Sequence, residues 1–180
     1  MSEPTPPRWP GGGLSRRRRR RRREPPARPL CVLLLPQKLD AMPGRERVAD
    51  LLSAPGTVAV EPAPLGYGPV GRLPELVRDA IAAGQARRME LPGRPRVVVA
   101  FEARQYDLAR ALLAEHSEAE LWYAAGEAPP RWSDAHEAAL QRAALVFDRA
   151  AEGPPRELNR PLWERMEALG VESGRLGSER

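Results

Sequence analysis

The chain has 180 residues and a formal net charge of +5, a length that supports one compact domain with tails. The charge is unevenly placed: residues 1–28 hold ten arginines against Glu3 and Glu24, a local +8, which leaves −3 for residues 29–180. A mildly acidic body argues against a nucleic-acid-binding fold, and a single cysteine, Cys31, excludes an internal disulfide.

Residues 1–29 are rich in Pro, Gly and Arg and offer almost nothing to bury, so an unfolded tail is expected there. Eight of its arginines are consecutive: Arg16, Arg17, Arg18, Arg19, Arg20, Arg21, Arg22 and Arg23. The apolar run that follows, "LCVLLL" at 30–35, is too short for a secretory core or a membrane span. A cytoplasmic location is the resulting expectation. The run itself reads as a strand covered on both faces. In "PGRERVADLLSAPG" (43–56), Val48, Leu51 and Leu52 fall on one helical face, and Pro55-Gly56 closes the helix. "TVAVEP" (57–62) predicts a second strand, and "APLGYGPVGR" a Gly/Pro loop. Pro74 opens a helix whose apolar stripe is predicted to run through Leu73, Leu76, Val77, Ala80, Ile81 and Gly84. "RVVVAFE" (96–102) is β-branched and uninterrupted, a buried strand. A helix over about 105–115 follows, then a strand in "AELWYAAG" (119–126).

Next, Ser133 or Asp134 caps a helix, with Asp134 and Glu137 spaced as a capping box. That helix runs into the short strand "ALVF" (144–147). A final helix is predicted in "PLWERMEALG", with Pro161 at its start and Gly170 stopping it. Strands alternating with helices in this way predict an α/β fold: a Rossmann-like parallel sheet of about five strands with helices on both faces. The expected organisation is a tail over 1–29, the α/β domain over 30–150, and a C-terminal helix with a soft tail over 151–180.

Ligands of open parallel sheets bind at the strand carboxyl ends. Those ends carry Glu61 and then Tyr67 between glycines after the second strand, and Glu102 and Arg104 after the third. The first strand leads into "PQKLDAMPGRE" rather than a Gly-rich phosphate loop, and neither a Walker lysine, a zinc-protease pair nor Cys/His metal spacing occurs. No cofactor and no metal are therefore expected, and no catalytic residue stands out.

The stretches "RPRVVVAFEARQYDLARALLAEHSEAELWYAAGE" and "HEAALQRAALVFD" resemble the amino-terminal half of glycosyltransferases of the two-domain GT-B architecture. Trp122-Tyr123, Glu137 and "ALVFD" occupy positions of that pattern, while Ala144 and Asp148-Arg149 depart from it. The resemblance implies an acceptor-side lobe in which Glu61, Tyr67, Glu102 and Arg104 bind the acceptor. It further implies a separate carboxy-terminal domain as partner, holding the nucleotide sugar and stabilising the departing diphosphate; without it the lobe is expected to be inactive. The alternative is a non-catalytic α/β domain whose arginine run binds nucleic acid or another anionic surface by counterion release. A third reading is a small-molecule-binding module of the same fold.

Overall fold

The structure is a computed structural model that describes residues 27–42, 44–61 and 68–173. The eight-arginine run and Tyr67 lie outside those residues. Five strands form one sheet: β1 (Pro29–Leu34), β2 (Thr57–Val60), β3 (Arg94–Ala100), β4 (Glu120–Ala125) and β5 (Leu145–Asp148). Five α-helices follow them in turn: α1 (Arg45–Leu52), α2 (Glu75–Arg88), α3 (Tyr106–Glu115), α4 (Ser133–Arg142) and α5 (Pro155–Ala168). The strand order is β2-β1-β3-β4-β5 and every pairing is parallel. This is one of the two common doubly wound orders, with its topological switch point between β1 and β3.

The apolar strands are apolar because both their faces are covered. Alternate residues serve opposite layers. Val32, Leu34, Val98, Ala100, Leu121 and Tyr123 pack under α2, α3 and α4, whereas Cys31, Leu33, Val97, Val99, Trp122 and Ala124 pack against α1 and α5. Burial raises the Cys31 thiol to about 12, so it is an inert core group at neutral pH. Each fully buried leucine, such as Leu33 or Leu112, is worth about 2–5 kcal/mol against alanine.

Helix α5 is integral to the second layer, because Leu162, Trp163 and Met166 are buried in its cluster. A polar latch also ties it to α1. The buried Asn159 accepts from Arg47 Nε at 2.8 Å and donates to the Arg47 carbonyl (2.8 Å) and to Asp50 (2.9 Å). At the amino end of β3 the chain passes so close to the segment before β1 that a Cβ at Gly93 would lie 2.2 Å from the Arg28 carbonyl.

Three local expectations are corrected. The last helix begins at Pro155, with Pro154 as its N-cap, and Pro161 sits on an exposed face inside it. Pro155 is the first helical residue, a position whose N–H has no partner within the helix, so its absence costs nothing there. The Asp134–Glu137 capping box does not form, since α4 continues from a 3-10 turn (Pro130–Trp132) and has Trp132 as its N-cap. Helix α2 is rotated from its predicted stripe: Ala82 and Ala86 are buried, Leu76 is 80% exposed and Val77 41%. Small residues on the inner face let α2 lie close to α3. No helix among the described residues is long and apolar enough to cross a membrane.

Candidate functional site

The switch point between β1 and β3 is where a doubly wound sheet opens a ligand crevice. Here a protein side chain fills it. Gln105, fully buried, accepts at Oε1 from the Phe101 (2.7 Å) and Glu102 (3.0 Å) backbone N–H groups and donates from Nε2 to the Leu34 carbonyl at 2.6 Å. Its amide thus bridges the ends of β1 and β3, with Leu35 and Pro36 buried beside it.

The open space lies further along the sheet. A cavity of about 290 Å³ sits over the carboxyl ends of β3, β4 and β5, walled by Glu102, Arg104, Glu127, Arg131, Trp132 and Arg149. Strand geometry explains each placement. Glu102 leaves β3 two residues past Ala100 and N-caps the 3-10 turn Ala103–Gln105, where it forms a reciprocal capping box with Gln105. That cap orients the carboxylate, whose Oε1 takes a hydrogen bond from Arg149 Nη1 at 3.1 Å and whose Oε2 pairs with Arg104 Nε. Arg149 follows β5 directly and is tied to β4 by its backbone N–H, which donates to the Ala125 carbonyl at 3.1 Å. All three side chains are about a quarter exposed, deep enough for their charges to be only partly screened.

The 3-10 turn before α4 contributes Arg131 and Trp132. Trp132 is buried, and the Arg78 and Arg131 guanidiniums lie 5.3 and 6.0 Å from its ring centroid. Its indole Nε1 is sealed from solvent and has no hydrogen-bond acceptor among the described residues. Buried Tyr123 hydrogen-bonds His136 Nδ1 at 2.8 Å. Burial, and secondarily the Glu102 carboxylate, push the phenol up to about 12. It is therefore protonated at neutral pH and carries a proton to share with Nδ1. His136 is thus a partly buried partner of the strand.

Of the residues expected to bind an acceptor, the structure brings Glu102 and Arg104 together. Glu61 stands exposed just past β2, two strand positions from β3 and four from β5, which along the sheet is roughly 10 Å and 19 Å. Arg149 and Trp132 escaped the sequence reading as site residues, and Gln105, which follows the third strand in sequence, carried no role there. Only the Glu102–Gln105 spacing carried a local signal, that of an N-terminal cap. No group of acidic, histidine or cysteine side chains that could hold a metal ion occurs among the described residues.

Fold and rim together define a doubly wound α/β domain with a charged basin at its strand ends. No protein-family model matches the chain, and no curated protein and no solved structure matches it either.

Proposed function

We propose that this chain is a ligand-binding α/β domain that takes a small polar molecule in the basin over β3, β4 and β5. The observation that carries this reading is the cavity itself: about 290 Å³ at the strand carboxyl ends, with Glu102, Arg104 and Arg149 already held in fixed relation on its wall. Its size is near the lower bound of small-molecule sites. Preorganised side chains lower the ordering cost of binding.

A second reading uses the same basin. As the acceptor-side lobe of a GT-B-like glycosyltransferase, the domain would present Glu102 and Arg104 to acceptor hydroxyls, and a partner domain would face this rim to supply the nucleotide sugar. What favours it is that two of the residues the resemblance implies share one wall.

The test is amide chemical-shift mapping of the full chain against a library of small polar fragments at millimolar concentration. Binding in the basin shifts the amides of Ala103, Ala128, Trp132 and Arg149 together. A library that shifts none of them, or that shifts only the amino-end residues near Arg94 and Glu118, rejects the site.

A further inference from the structure

We infer that the basin's ligand is a small multivalent anion, bearing a phosphoryl group or clustered carboxylates, gripped by Arg104, Arg131 and Arg149. The inference rests on the basin being a binding site and adds the chemistry of what it takes.

Charge balance is the first argument. Three guanidiniums face two carboxylates, Glu102 and Glu127, around one cavity. Glu102 is shared between Arg104 and Arg149, so the chain itself shows that a carboxylate seats between those two cations. Arg131 makes no ion pair among the described residues, and neither does the exposed Glu127. Nearby Asp148 does not redress the balance here: its carboxylate accepts from the Ala150 N–H at 2.8 Å and faces Arg47.

The neighbouring cavity supplies the contrast. It shares Arg131 and Trp132 with the basin, but its other charges are matched: Arg78 pairs with Asp107 at 2.9 Å, Arg110 pairs with Asp79, and Glu75 and Asp134 complete the wall. Of these two cavities, the basin over the strand ends is the one with excess cation.

Donor balance points the same way. Each guanidinium carries five N–H donors and no acceptor, and the three of them stand around one cavity. A ligand rich in acceptors, with more than one negative charge, complements this wall. A neutral polyol does not neutralise it.

The test titrates the full chain with pyrophosphate, citrate, sodium chloride at matched ionic strength, and glucose, reading the basin amides separately from the arginine run at 16–23. Pyrophosphate, citrate or both are expected to shift the basin amides, with chloride and glucose inert there. Which of the two binds more tightly distinguishes a phosphoryl ligand from a polycarboxylate. Arg131→Ala, at an exposed position, is expected to weaken binding about tenfold, as for one lost charged hydrogen bond. Glu102→Gln, which removes a competing negative charge, is expected to tighten it. Glucose or another neutral fragment shifting the basin while both anions leave it still overturns the anion and keeps the site. Chloride matching pyrophosphate, or an Arg131→Ala affinity equal to wild type, also overturns the anion. If nothing shifts the basin, the site itself falls.

Discussion

Replacing Gln105 by leucine tests how the rim is built. The side-chain volume is nearly kept, so little cavity energy is involved. What is lost is the amide that satisfies three backbone groups at once, the N–H groups of Phe101 and Glu102 and the carbonyl of Leu34. Each buried backbone group left without a partner costs about 1–3 kcal/mol, and the added apolar burial returns about 1–2 kcal/mol. The net loss for three such groups comes to about 1–8 kcal/mol. For a folded region of this size the middle of that range lowers the melting temperature by roughly 10 °C. Urea unfolding followed by tryptophan fluorescence reads it directly, and an unchanged m-value would show that the same surface is exposed on unfolding. The same change removes the Gln105 half of the capping box, so the Glu102 and Arg149 resonances should broaden or shift. A Gln105→Leu protein within about 0.5 kcal/mol of wild type, the range of ordinary surface substitutions, would refute the bridging role.

Asn159→Ala should cost about 2–3 kcal/mol by removing the partner of Arg47 Nε, the Arg47 carbonyl and one Asp50 oxygen, and α5 should become the first helix to lose hydrogen-exchange protection; an unchanged exchange pattern would contradict this. The Tyr123 phenol is raised from 10 to about 12, so its contribution is complete below pH 10 and declines as pH rises toward 12, when the unfolded chain ionises first. Alkaline melts should show a loss of about 1–3 kcal/mol across that window, absent in Tyr123→Phe; identical pH profiles would disprove it. For the arginine run, RNA binding by the full chain should weaken with a log–log salt slope of up to about −6 for eight cations on a single strand. Deleting residues 1–26 should abolish that binding, and retention of it would assign the activity to the acidic body instead.

Sequence patterning revealed the strands because β1, β3 and β4 lie inside a doubly covered sheet and are apolar throughout. Their lateral order was not readable, since it depends on which edge each crossover selects. The α2 stripe misled for a related reason: Leu76 and Val77 have the right spacing, but the helix turns Ala82 and Ala86 inward to approach α3. Pro161 looked like a helix start because proline is favoured at the first helical position and costs a hydrogen bond further in; Pro155 takes that first position, and Pro161 stands inside the helix. Glu102 and Arg104 were legible as groups past a strand end. Arg149 was not, because its partner lies 47 positions away and meets it only once β3, β4 and β5 are neighbours. Gln105 reads as a helix-start residue in sequence; its bridge to Leu34 appears only when β1 and β3 pair.

The most direct measurement of the central claim is a crystal structure of the full chain grown or soaked with pyrophosphate. Density for the anion against the Arg104, Arg131 and Arg149 guanidiniums, over the ends of β3, β4 and β5, is the predicted result. An open basin without density, with the anion bound elsewhere or nowhere, would contradict it.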